Sequence, residues 1–150
     1  MGTIVGGGAK EGKAMKQKFF TSLPAFATLS DKVKKAAERG FIIALDGRHL
    51  PVRSGHGAIN SLLQGAAAII AKKWVITYEK MCEEQGWVNG KDFWISAFVH
   101  DEVQMTVREG LAEKCAEISV AAALKAGEEL DVRIPVGAEA KIGLNWYDCH

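Results

Sequence analysis

The sequence has no apolar run longer than six residues, Ala66 to Ala71. A membrane-spanning helix needs roughly 20, so no span is expected. It has few cysteines, and Cys82, Cys115 and Cys149 are widely spaced and odd in number. That excludes a disulfide frame and suggests reduced thiols in a cytoplasmic protein. The opening Met1-Gly2-Thr3-Ile4 has neither a charged n-region nor an apolar h-region, so no signal peptide is expected. Gly6 stands where an N-myristoylation signal wants Ser or Thr. Cys149-His150 has no second ligand pair at zinc spacing. Excess charge of one sign is also missing, the net being +1. With 150 residues, 48% hydrophobic and 25% charged, the chain is neither a disordered tail nor collagen-like nor a mucin-like stalk. It is long enough for one ordinary core.

The small net charge covers an asymmetry. Residues 1–56 hold ten Lys or Arg against four Asp or Glu, a net of +6, and residues 57–150 carry −5. A basic block suits a polyanion, and it also suits ordinary solvated helix faces.

The glycine-rich start, residues 1–9, reads as loop. A helical pattern begins at Lys10, and Pro24 divides it, with the second helix starting near Ser22. Gly40 ends it. Phe41 to Val52 reads as a hairpin around Asp46-Gly47, and Pro51 restricts its second strand to an edge. From about His56 to Gln85, the residues Ile59, Leu62, Leu63, Ala66, Ile69, Ile70, Trp74, Thr77 and Met81 recur at helical spacing, predicting a long helix with a core stripe. Phe93–Val99 is a continuous apolar run, expected to be a strand buried on both faces. Val103 to Val107 alternates as a half-buried strand. A helix over 111–124 and a last strand over 134–142 complete an α+β pattern, helices packed on an antiparallel sheet.

Three places could carry chemistry. His100-Asp101-Glu102 stands between two apolar strands, where a tight turn ordinarily uses Gly or Asn-Gly. Adjacent carboxylates repel, and a divalent cation such as Mg²⁺ reverses that; a solvated acidic turn needs no such explanation. His56, Asn60 and Gln64 follow one another at intervals of four on the long helix. Uncharged amides suit the minor groove, where purine N3 and pyrimidine O2 accept at every base pair, and Arg53 upstream could hold a phosphate. They also suit nearby backbone groups. Gly7-Gly8-Ala9-Lys10-Glu11-Gly12-Lys13-Ala14 imitates a phosphate loop, but Ala14 lacks the Mg²⁺-binding hydroxyl and no strand precedes it. Its lysines fit better in a salt-sensitive basic face.

Together these segments resemble family A DNA polymerases, the relatives of bacterial DNA polymerase I. Ala97-Phe98-Val99-His100-Asp101-Glu102-Val103-Gln104 is similar to the family's motif C. Leu45-Asp46-Gly47-Arg48 resembles the hairpin before the palm helix. Ala58-Ile59-Asn60-Ser61-Leu62-Leu63-Gln64-Gly65 resembles the helix carrying the minor-groove Asn and Gln. The order and spacing match from about Ile4 to His150. The run Ile4-Val5-Gly6-Gly7-Gly8-Ala9-Lys10-Glu11-Gly12-Lys13, His56, and the ending Gly143-Leu144-Asn145-Trp146 with Cys149-His150 are similar to the short-tailed-phage branch. Phage-type single-subunit RNA polymerases share the His-Asp pair but usually continue with Ser, so Glu102 favours DNA synthesis.

The resemblance implies roles. Asp101 becomes a catalytic Mg²⁺ ligand. Glu102 supports the metal site and primer end, and His100 touches the primer phosphate. Asn60 and Gln64 contact the minor groove, and His56 and Arg53 hold template or primer backbone. Residues 1–40 correspond to trailing, basic fingers helices and 41–150 to the C-terminal part of the palm. The implied reaction is template-dependent transfer from deoxynucleoside triphosphates to a primer 3′-hydroxyl on primer–template DNA, by two-metal chemistry. Two family motifs have no counterpart here: motif A, with its second aspartate, and motif B, the nucleotide-gripping fingers helix. The expectation is therefore activity only beside a complementary N-terminal polypeptide, from a split gene or a truncated form. The alternatives are a non-catalytic duplex-binding module and a remnant palm serving as an assembly surface. A palm without its neighbours exposes apolar surface, so self-association is expected too.

Overall fold

The computed structural model describes residues 8–149. The sequence readings on residues 1–7 and on His150 lie outside them. The chain divides into two compact units: residues 8–44 with 49–63, and residues 45–48 with 64–149.

The first unit begins with two helices, α1 (Ala9–Ser22) and α2 (Pro24–Ala37). Glu11 Oε2 accepts from the Gly8 backbone N–H at 2.9 Å, satisfying a donor at the N-terminus of α1. Residues 9–14 are helical, so no loop is present there to cradle a phosphate. Pro24 occupies the first turn of α2, where its missing N–H costs nothing. Gly40, at φ 82°, turns the chain out of the helix. Strands β1 (Phe41–Ile43) and β2 (His49–Pro51) then pair antiparallel, Ile42 facing Leu50. Val33, Ile42 and Ala58 form a small core, joined by Leu50, Ile59 and Leu62. Phe19, Phe20 and Phe26 cluster, and the ammonium groups of Lys16 and Lys34 lie 5.9 and 6.0 Å from the Phe20 ring centre.

Helix α3 (Gly55–Glu84) enters the second unit at Gln64. There β3 (Phe93–Val99) and β4 (Glu102–Val107) form a second antiparallel pair, followed by α4 (Ala112–Glu129) and the short α5 (Trp146–Cys149). Tyr78 and Cys82 of α3, Phe93 of β3, and Ile118 and Ala122 of α4 make the core, with Met105 and Val107 packed against it. The sheet thus lies on both helices. Trp74 Nε1 donates to the Ser119 carbonyl at 2.8 Å, fastening α3 to α4.

Four expectations change. Phe93–Val99 is not buried on both faces: Trp94, Phe98 and Val99 are 40%, 40% and 45% exposed. The register shifts at a bulge between Ile95 and Ala97, while burial alternates along the strand, Phe93, Ile95 and Ala97 being the more buried and Trp94, Ser96 and Phe98 exposed. A continuous apolar run therefore forms a strand with one exposed face. The helix expected over 111–124 continues to Glu129, because Gly127 fits inside it against Val136. No strand forms over 134–142, where the period-two pattern finds no partner strand among the described residues. In the stripe of α3, Leu63 turns out 52% exposed.

Candidate functional site

The β3–β4 ladder closes on Val99 opposite Glu102, leaving His100 and Asp101 as a two-residue turn. His100 takes φ 56° there, a left-handed conformation that favours glycine. A histidine held so in a tight turn is a local strain of the kind found at functional sites. His100 and Asp101 are both exposed, and Glu102 is half-buried at the start of β4. The base of the hairpin is stiffened: buried Asp92 accepts from the Val88 N–H and pairs with Arg108, both at 2.9 Å. The tip therefore sits on a braced ladder.

Beside the tip lies a cleft of about 770 Å³. Asp101, Glu102 and Gln104 line it, facing Ala67 and Trp74 of α3, Cys115 of α4 and the irregular stretch 136–143. Gln104 Nε2 donates to Glu102 Oε1 within this wall. Among the described residues no group of three or more His, Cys, Asp or Glu could hold a metal ion.

His56, Asn60 and Gln64 are all exposed and fall within one 80° arc of α3, since four residues advance a helix by about 40° past a full turn. Neither amide makes a side-chain hydrogen bond among the described residues, so they do not satisfy backbone groups there. Gln64 stands one turn before Ala67, which lines the cleft with Asp101. Arg53, His56 and Asn60 belong to the first unit, Arg53 exposed at a bend before α3. Gln104 is the residue of the cleft wall that sequence reasoning passed over; its place two residues after Glu102 on one strand was the available signal.

The hairpin before α3 handles its acid differently. Arg48 Nε donates to Asp46 Oδ2 at 2.6 Å, and that hydrogen bond holds the Asp46 carboxyl below its ordinary range.

Comparison with known proteins gives the family and the fold. The sequence profile described as DNA polymerase family A matches residues 3–148. The chain belongs to DNA polymerase family A. Within it, the DNA-directed DNA polymerases of Enterobacteria phage T3 and Escherichia phage T7 are each 37% identical to it over 168 residues, covering all of this chain and 24% of theirs. DNA polymerase I of Pseudomonas aeruginosa is 31% identical, covering 94% of this chain and 16% of its own length. The chain thus spans about a quarter, or less, of these relatives. The fold is similar to a solved structure described as the POL domain of Pol1 from M. smegmatis in complex with DNA primer-template and dNTP, with TM-score 0.73 and 20% identity over 83% of this chain and 24% of that one. No helix among the described residues is long and apolar enough to cross a membrane.

Proposed function

We propose that this chain supplies the primer-end part of a DNA polymerase active site: template-directed transfer of a nucleotide to a primer 3′-hydroxyl. The observation that carries the reading is an exposed Asp101 at a braced, strained hairpin turn, beside Glu102 and at the edge of a cleft. Family A polymerases generally use a divalent metal, and the donor chemistry fits in part. An exposed carboxylate suits one position of a Mg²⁺ ligand set, and the remaining acidic ligand would come from a segment carrying motif A. When bound, two Mg²⁺ ions would lower the pKa of the primer hydroxyl and offset charge on the triphosphate and the leaving pyrophosphate.

This chain's own residues then position the substrates. Asp101 contributes the metal-binding oxygen, and Glu102 supports the primer end beside it. His100 contacts the primer phosphate from the turn. Asn60 and Gln64 donate to base edges that every pair presents in the minor groove, checking pair shape without reading sequence. His56 and Arg53 hold the sugar–phosphate backbone. Residues 1–40 act as the trailing fingers and 41–150 as the palm's C-terminal part. Primer–template DNA and deoxynucleoside triphosphates are the partners, and the cytoplasm is the place of reaction, the host's if a phage encodes the chain.

A second reading has its own support. The exposed amides of α3 and the basic first 56 residues suit a module that grips duplex without catalysis. Mixing separates the two. The chain is combined with a polypeptide carrying motifs A and B, and primer extension is measured for wild type and Asp101→Ala. Extension with wild type alone supports the polymerase reading. Salt-sensitive duplex binding without extension in any mixture supports the module, and neither result leaves an assembly surface.

A further inference from the structure

We propose that Gln104 is a positioning residue, holding the Glu102 carboxylate beside Asp101 so that the acidic pair meets the primer end in one orientation. The inference rests on the polymerase reading above. Glu102 and Gln104 are two residues apart on β4, so their side chains leave the same face. Both are half-buried and both line the cleft. The Gln104 amide donates from Nε2 to Glu102 Oε1. An ionised carboxylate only accepts, so this contact also settles which way the amide points. Opposite Gln104 in the ladder stands Ala97, whose small side chain leaves the amide room to turn along the strand.

The chemistry of the donor matters as much as its place. The first hairpin uses the same spacing: Arg48, two residues after Asp46, clamps that carboxylate with a cation and cancels its charge. At the second hairpin a neutral amide does the clamping. The Gln104 amide thus orients Glu102 without itself adding a charge to the pair.

The test uses the chain complemented by the motif A and B polypeptide. Gln104→Ala should lower kcat for nucleotide addition by about tenfold, the lower end of the effect expected when a supporting partner of a site ligand is removed. KM for the nucleotide should stay within about twofold. Gln104→Glu, equal in size but without the donor, should do at least as much harm. In a Glu102→Ala background, adding Gln104→Ala should cost nothing further, whereas a general weakening of the strand would slow both backgrounds alike. A readout free of catalysis is the side-chain amide of Gln104 in the ¹H–¹⁵N spectrum of the chain alone. It should stand away from solvent-exposed amides in wild type and return to them in Glu102→Ala. An amide indifferent to Glu102, or extension unchanged by Gln104→Ala, would overturn the proposal while leaving the polymerase reading intact. Failure of every mixture to extend a primer would overturn both.

Discussion

Tyr78 is among the most buried side chains of the second unit, yet its hydroxyl has no hydrogen-bond partner among the described residues. Its neighbours are the thiols of Cys82 and Cys115, and burial pushes its pKa upward. An unsatisfied buried hydroxyl costs about 1–3 kcal/mol, so Tyr78→Phe should leave stability unchanged or raise it by up to about 1 kcal/mol in urea titration. The thiols differ sharply in access. Cys82 and Cys115 are buried and Cys149 is half-exposed. One thiol per native chain should react quickly with a disulfide reagent near neutral pH, and the other two only after unfolding. Burial raises Cys82 from 9.0 to about 11. A raised folded-state value favours the protonated fold, so its contribution is complete below pH 9 and disappears as pH climbs toward 11. The urea midpoint should therefore fall across that window, and less so in Cys82→Ala when each variant is compared with its own value at neutral pH. At this scale the acidic turn was legible in the sequence, because His-Asp-Glu between apolar strands gains nothing from a core. The Gln104–Glu102 contact was signalled only by their spacing of two on one strand, which many pairs share without touching.

Single elements show where pattern and structure part. Helix α3 was readable because its apolar residues repeat at helical spacing over many turns. Its inner face was overdrawn, since that helix is apolar on more sides than it buries, with Leu63 and Ile76 both exposed. The stretch 134–142 alternates as a strand should, but pairing needs a neighbouring edge, and it runs along α4 and the cleft instead. Gly127 explains the fit. A Cβ there would lie 2.5 Å from Val136 Cγ2, so α4 accepts that segment only at a glycine. Gly127→Ala should destabilise by about 1–3 kcal/mol despite the better helix propensity of alanine. Val136→Ala should relieve most of that loss, and thermal melts of the single and double variants would show it. If Gly127→Ala instead raises the melting temperature, the packing of 132–143 on α4 is wrong. The bulge at Ser96 was equally invisible, because one unpaired residue shifts the register without altering composition.

For the whole molecule, the family is shown by the sequence match, and the chain corresponds to about a quarter of its phage relatives. Trp94 and Phe98 on the hairpin, and Met15, Phe19 and Leu23 on the first unit, are each 40% exposed or more. Apolar surface left open in this way favours association. Light scattering should find the isolated chain larger than 16.2 kDa at high concentration, and a complementing polypeptide should compete with that self-association. The measurement that bears most directly on the function is the rate of Mg²⁺-dependent primer extension by the complemented chain, compared between wild type and Asp101→Ala. A lost metal ligand should cost several kcal/mol of transition-state stabilisation, roughly a thousandfold in rate. Extension that proceeds as fast with alanine at position 101 would contradict the assignment of this turn as the metal-binding end of the active site.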